Sequence, residues 1–335
     1  MSQSKMRAVV ITRPGGPEVL ELREVPTPTP GPGEVLVRVH AAALNRADVL
    51  QRRGRYPAPP GVPPEVPGLE FAGEVAELGP GVTAWRPADR VFGIVGGGAY
   101  AQFLVTHERM LAAVPRALEW TAAAAVPEAY ITAYDALIEQ AGARLSERVL
   151  VNAVGSGVGL AVVQLARAMG LVPYGSARSA RKIDVALELG LEDGIVVGED
   201  LAPMVERARE WSGGMGLDIV LDLLGGHYLP ASLELLAPRG RLVLIGTLAG
   251  RDAEISLGRV LGARLTIRGT VLRARPLEEK IAATRTFVHE VVPQLERGAL
   301  RPVVDSVYRL ADAAEAHRRL ESNATIGKVV LSVPD

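Results

Sequence analysis

The segment from Arg148 to Gly170 limits the possible folds of this chain more than any other. Arg148-Val-Leu-Val-Asn152 is a short apolar run, as a buried strand requires. Ala153-Val-Gly155-Ser156-Gly157-Val158-Gly159 follows, with three glycines in five residues. Val162, Leu165, Ala166 and Met169 then recur at helical spacing until Gly170 closes the helix. Further short apolar runs lie at 171–175, 194–197, 217–222, 241–246 and 265–270, with helical stretches between them. Six strands alternating with helices predict an α/β domain built on a parallel, doubly wound Rossmann sheet.

The flanks read differently. Arg7–Thr12, Val19–Val25, Glu34–His40, Phe71–Glu77, Asp89–Gly93 and Tyr100–Val105 are strand-like runs separated by Gly- and Pro-rich turns. Between them, Pro57 to Pro67 holds six prolines in eleven residues, which excludes helix and central strand. Such a stiff loop is a candidate pocket wall. The tail predicts a helix over 277–295, a strand over 303–308, a helix over 311–321 and a strand over 327–333. It is expected to pack back onto the β-rich first third. A length of 335 residues accommodates two domains.

The glycine loop lets the backbone turn sharply into a helix whose free N–H groups and dipole favour an anion such as a pyrophosphate. Only one residue separates Gly157 from Gly159, so the loop is not the usual G-x-G-x-x-G. Its context, strand before and amphipathic helix after, points to dinucleotide binding. An NAD-binding domain usually carries an acid about 20 residues on. Residues 171–183 contain no acid and instead offer Ser176, Arg178, Ser179, Arg181 and Lys182. Cations there suit the 2′-phosphate of NADPH.

Composition excludes several chemistries. There is no cysteine, hence no disulfide, thiolate nucleophile or cysteine zinc site. The five histidines, at 40, 107, 227, 289 and 317, form no H-x-x-x-H pair. A net charge of −1 gives no basic footprint for nucleic acid. No run approaches 18 apolar residues, and Met1 to Lys5 has no apolar signal core, so no membrane partner and a cytoplasmic location are expected.

Several stretches carry a resemblance over essentially the full length. They are Pro14-Gly-Gly-Pro-Glu18, Asn45-Arg-Ala-Asp48, Gln51-Arg-Arg-Gly54-Arg-Tyr56, Pro67-Gly-Leu-Glu70-Phe-Ala-Gly73, Pro127-Glu128-Ala-Tyr-Ile-Thr132, Ala153 to Gly159, and Ile326-Gly-Lys328. With them the chain resembles the medium-chain dehydrogenase/reductase superfamily, in its zinc-independent quinone oxidoreductase (zeta-crystallin-like) branch. Leu69 stands where zinc-dependent members carry a histidine. The resemblance implies a GroES-like β-rich catalytic domain, residues 1–126 with 271–335, and a Rossmann NADPH-binding domain, residues 127–270. It implies a homodimer that transfers reducing equivalents from NADPH to a quinone. A 2-alkenal, enone or enoyl-thioester reductase on the same scaffold is the alternative. An NADPH-binding structural or RNA-contacting protein is the non-enzymatic one.

The same resemblance implies site roles. Asn45 and Tyr56 flank nicotinamide and substrate, with Thr132 at the nicotinamide end. Ser156, Gly157 and Val158 bind the pyrophosphate; Ser176, Arg178 and Lys182 hold the adenosine phosphate. Gly246, Thr247 and Leu248 support the nicotinamide ribose. Leu272 and Arg273 lie beside the nicotinamide, and Lys328 near the cofactor. The expected catalytic set is Tyr56, Asn45 and Ser156. Val196 departs from the family, many members of which have tyrosine near the adenosine. Plainer readings stand beside these: Asn45 as a helix cap, Tyr56 as packing among the prolines, Ser156 as a small turn residue. Glu70 would serve a buried backbone N–H, and Lys328 would be a surface charge.

Overall fold

A computed structural model of the chain describes residues 4–334. The chain divides into two compact units. One comprises the residues up to Ile131 together with those from Leu272 onward; the other is Thr132–Val271. The borders differ by a few residues from 127 and 270 because the helix Pro127–Tyr134 runs across the first of them.

In chain order the strands are β1 (Lys5–Ile11), β2 (Leu20–Pro26), β3 (Glu34–Ala43), β4 (Glu70–Leu78), β5 (Arg90–Ile94), β6 (Phe103–His107) and β7 (Leu111–Ala113). The middle contributes β8 (Arg148–Asn152), β9 (Val172–Ala177), β10 (Asp193–Val196), β11 (Leu217–Asp222), β12 (Leu236–Leu244) and β13 (Thr266–Gly269). The tail adds β14 (Val304–Arg309) and β15 (Lys328–Ser332).

The middle unit is one six-stranded sheet in the order β10-β9-β8-β11-β12-β13, with every pair parallel. This is the doubly wound order in which succession reverses between β8 and β11, leaving a crevice at the carboxyl ends of the strands. The central strands are buried on both faces, which is why β8 and β11 read as continuous apolar runs. Leu150, Val220, Leu242, Met204 and Tyr228 form its core.

In the other unit β1 and β2 form an antiparallel hairpin, and seven strands follow the order β14-β15-β3-β4-β5-β7 with β6 also on β3. The tail does return to the first third: β15 pairs antiparallel with β3, Val330 opposite Ala43. β14 and β15 are parallel, joined through the helix Ala313–Glu321. The expected helix over 277–295 is two helices, Leu277–Glu290 and Val292–Glu296, because Pro293 has no N–H to continue the ladder. The strand expected from Tyr100 starts at Phe103. Tyr100 is buried instead, and its backbone meets Val9.

A buried ion pair anchors the last helix of this unit. Arg52, with no exposed surface, donates to both carboxylate oxygens of Glu321 at 2.8 and 3.0 Å and to the Gly15 carbonyl at 3.1 Å. Its Nη1 lies 3.0 Å from His317 Nδ1. Arg52 can only donate, so His317 accepts at Nδ1 and is the neutral, Nε2-protonated tautomer. Burial first, and Arg52 second, push the His317 pKa down to about 3. Unfolded, it would bind a proton near pH 6.5, so its contribution is complete above pH 6.5 and lost as the pH falls toward 3. Asp48, pushed up by burial to about 6, acts with the opposite sign between its ordinary value and 6. His317→Gln keeps an acceptor for Arg52 but cannot titrate. It is therefore expected to remove up to ~1.4 kcal/mol per pH unit of acid destabilisation below pH 6.5. Urea unfolding at pH 7 and 4.5 measures this; parallel pH profiles for both proteins would contradict it.

Candidate functional site

In the middle unit the carboxyl edge of the sheet gathers the expected cofactor residues. β8 ends at Asn152, and Ala153 turns the chain with φ 57°. Ser156 caps the helix Gly157–Ala168, its hydroxyl accepting from Gly159 N–H at 3.0 Å. A Cβ on Gly159 would sit 2.5 Å from the Val154 carbonyl, so the turn cannot be this tight with any other residue there. Ser156, Gly157 and Val158 remain partly exposed, with first-turn N–H groups that have no intrahelical acceptor.

β9 delivers the basic residues to the same edge. Arg178 is exposed just past its end. Lys182, on the first turn of the helix Ala180–Glu188, is partly buried with its stem against the glycine loop: a Cβ on Gly155 would lie 2.8 Å from its Cγ. Ser176 is placed otherwise than expected. It is fully buried, and its hydroxyl donates to Asn152 Oδ1 at 2.8 Å, so it faces into the sheet rather than toward a phosphate. Asn152 in turn donates to Ser232 Oγ at 3.1 Å. The expected phosphate contact is thus the side chain that locks the ends of β8 and β9. Period-2 alternation is hard to apply to a strand buried on both faces.

Past β12, Gly246 is partly buried while Thr247 and Leu248 are exposed. Their loop is held to the loop after β11 by a Gly225–Gly250 bridge; a Cβ on Gly226 would lie 2.6 Å from the Ala249 carbonyl. Asp222 supports this loop, accepting from Leu224 and Gly225 N–H at 2.8 and 3.1 Å. Burial raises its pKa. The Gly225-Gly226 pair is the sequence signal for this interlock. Thr132 is buried near the end of its helix, and Val196 is exposed at the end of β10.

The β-rich unit holds two clusters of its own. In the first, Asn45 caps the helix Arg46–Arg52 in a capping box with Asp48, as its plainer reading held. Its Nδ2 also donates to Glu70 Oε1 at 2.9 Å, and its Oδ1 accepts from Lys328 at 2.7 Å. Glu70, fully buried, accepts the Glu128 backbone N–H at 2.8 Å and pairs with Lys328 at 2.6 Å. Lys328 is no surface charge. Its third acceptor is the Leu44 carbonyl at 2.8 Å, so all three ammonium hydrogens are engaged within this unit. Lys328 and Asn45 are thereby parts of a locked buried network, with neither group turned outward. Asp48 completes it, accepting from Gly68 N–H, Asn45 N–H and Tyr100 OH.

The second cluster joins Tyr56 and Arg273. The Arg273 guanidinium lies over the Tyr56 ring, 4.9 Å from its centroid. Nε donates to the Gly96 carbonyl at 2.7 Å, Nη1 to the Tyr56 carbonyl at 3.3 Å, and Nη2 to Gln51 Oε1 at 2.5 Å. Gln51 donates to the Pro64 carbonyl at 2.9 Å. The proline loop closes over this floor: a Cβ on Gly96 would lie 2.8 Å from Val62. The Tyr56 hydroxyl makes no hydrogen bond to a described residue, and partial burial raises its pKa, so it stays a phenol. Gln51 was missed as a site residue; its signal was its place on one turn with Asp48. Leu272 is buried beside Arg273 in the chain.

Leu69 is buried, and among the described residues no group of three His, Cys, Asp or Glu could hold a metal.

Residues 31–116 match the family model of the alcohol dehydrogenase GroES-like domain, and residues 194–331 match that of a zinc-binding dehydrogenase. For the zinc that the second description names, the described residues offer no cluster of three ligands, and Leu69 has no donor atom. The quinone oxidoreductase of Rattus norvegicus is 33% identical over 333 residues, 98% of each chain. A mycobacterial protein solved in complex with NADPH is 30% identical at a TM-score of 0.87, covering 98% of this chain and 99% of that one. The CurK enoyl reductase is 27% identical at a TM-score of 0.87, covering 99% and 100%. A parallel six-stranded Rossmann sheet inserted into a GroES-like β-unit, with these relatives along its full length, places the chain in the medium-chain dehydrogenase/reductase superfamily of oxidoreductases, among the relatives of its quinone oxidoreductases.

Proposed function

We propose that this chain is an NADPH-dependent, zinc-independent quinone oxidoreductase. The observation that carries the cofactor choice is the pair Arg178 and Lys182 at the carboxyl edge, with no acid in the loop between β9 and Lys182. Cations there favour a 2′-phosphate; a carboxylate would favour a free ribose hydroxyl. The mycobacterial complex with NADPH supports the same choice.

Bound, the nicotinamide supplies the hydride; the protein supplies orientation and electrostatics. Ser156, Gly157 and Val158 would hold the pyrophosphate on the helix N-terminus. Thr132 and Gly246 to Leu248 would attend the nicotinamide half. Tyr56, a phenol with no relay behind it, can donate one hydrogen bond to an acceptor oxygen. A quinone asks for no more, because its reduced product is delocalised and solvent can protonate it. An enone or enoyl thioester needs a proton at carbon, and Tyr56 is the evident acid. The likeness to CurK, an enoyl reductase, favours that second reading.

An NADPH-oxidation screen of 1,2-quinones against 2-alkenals separates the two. Quinone turnover is expected to dominate, with a modest loss on Tyr56→Phe and a larger one on Tyr56→Ala. Dominant alkenal turnover, abolished by Tyr56→Phe, would select the second reading. Failure with every acceptor would leave a cofactor-binding protein without reductase activity.

The assembly we propose is a homodimer through β13. It ends the sheet, its residues are exposed, and the preceding helix presents Leu257 and Leu261 at 69% and 77% exposure. An uncovered sheet edge beside two exposed leucines invites association. Sedimentation at micromolar concentration is expected to give a dimer; a monomer would refute it. No helix among the described residues is long and apolar enough to cross a membrane.

A further inference from the structure

The buried cations among the described residues are Arg52, Lys328 and Arg273. Arg52 has Glu321 and Lys328 has Glu70. Arg273, at 7% exposure, has no carboxylate in ion-pair contact, Asp48 and Glu128 acting on it only at longer range; its acceptors are two backbone carbonyls and the neutral amide of Gln51. One N–H on each Nη is left without an acceptor. A buried charge with no counter-charge in contact is costly, and a ligand oxygen on its open N–H groups would offset that cost. Its setting is prepared for one. The ring of Tyr56 supports the guanidinium, Gln51 and Gly96 fix its plane, and the proline loop shields it from water. The Tyr56 hydroxyl adds a second uncommitted donor beside it.

We propose that Arg273 is the acceptor-binding cation of this enzyme, its guanidinium taking the carbonyl oxygen of the electron acceptor and holding the negative charge that arrives there. This rests on the reductase reading above. A hydride given by the bound cofactor would bond to the far end of the conjugated system, the other oxygen of a quinone or the β-carbon of an enone, bringing two electrons and one proton. The π pair of the carbonyl moves onto oxygen, which becomes O⁻ against Arg273, while the cofactor is left oxidised. A solvent proton then completes the product. The same geometry serves the enolate oxygen of an enone, so Arg273 selects conjugated carbonyl compounds as a class. Burial lowers the Arg273 pKa while Asp48, Tyr56 and Glu128 act to raise it, and an arginine stays charged, so its two open N–H groups present a cation to a ligand oxygen.

The test uses 4-nitrophenol as a stand-in for the reduced acceptor, with the full-length protein and no cofactor. Its ionisation is read by phenolate absorbance. Bound to the wild type, it is expected to titrate at lower pH than when free. Arg273→Met should abolish the shift, and Arg273→Lys should keep part of it. Thermal unfolding confirms that both variants fold; should Arg273→Met not fold, the lysine variant and the wild-type shift still decide. In turnover, Arg273→Met is expected to lower kcat on the order of 10²- to 10³-fold with the NADPH Kd from fluorescence titration unchanged. No shift in the wild type would overturn the proposal. So would a weaker NADPH Kd with acceptor kinetics intact, which would assign the guanidinium to the cofactor. If no acceptor oxidises NADPH, the reductase reading falls while the nitrophenol titration still decides Arg273.

Discussion

Lys328→Met is expected to lower the unfolding free energy by about 3–5 kcal/mol, because it strands Glu70 as an unpaired buried carboxylate. The two groups lie 2.6 Å apart with side-chain exposures of 7% and 0%. Little water can rescreen Glu70 once the ammonium is gone. The loss also leaves the Asn45 carbonyl oxygen and the Leu44 carbonyl without their donor. Adding Glu70→Gln should restore most of the stability. A neutral glutamine can still accept from Glu128 N–H, and its NH2 can donate to Asn45 Oδ1 once the Asn45 amide, released by Lys328, turns over. Denaturant unfolding of the single and double variants measures both. A loss below about 1 kcal/mol, the scale of a solvent-exposed pair, would show that the cluster is not sealed. A double variant as unstable as the single would show that the unpaired charge is not the cause.

The second large effect concerns the cofactor. Arg178→Asp with Lys182→Ala is expected to cut the preference for NADPH over NADH by ten- to thousandfold. A charge pair at ~4 Å is worth roughly 1–4 kcal/mol from water-like to surface dielectrics. The change should fall on the Kd and KM for NADPH, while NADH, which has no 2′-phosphate, binds as before or better. Because Arg178 is exposed, the preference should also weaken with salt. Unchanged selectivity would refute the assignment. Ser176→Ala serves as the contrast. The hydroxyl it removes binds Asn152 inside the sheet, so the variant should affect stability rather than selectivity.

These two predictions differ in how far the sequence alone could have led to them. The basic run after β9 was visible at once, because a surface charge at a strand end depends on few neighbours. The Lys328–Glu70–Asn45 cluster was visible only as three separate motif residues. Lys328 and Asn45 are 283 positions apart, and nothing local to Lys328 says that three acceptors will meet it. The lack of an ion-pair contact at Arg273 is equally invisible, since it depends on which carboxylates stay out of reach in space. Ser176 shows the reverse error. Its hydroxyl stands in a basic run, yet on a strand buried on both faces it turns to Asn152.

What the sequence by itself determined was the doubly wound sheet, its glycine turn and the strand-rich character of the first third. Each rests on short-range physics: the period of apolar residues, the freedom of glycine, and the missing N–H of proline. The tertiary structure alone decided which polar groups are satisfied. It sealed Lys328 and Asn45 into a network and joined Arg273 to Tyr56 through segments 217 positions apart. Charge compensation depends on every neighbour in space, and burial removes the water that would otherwise make those neighbours irrelevant.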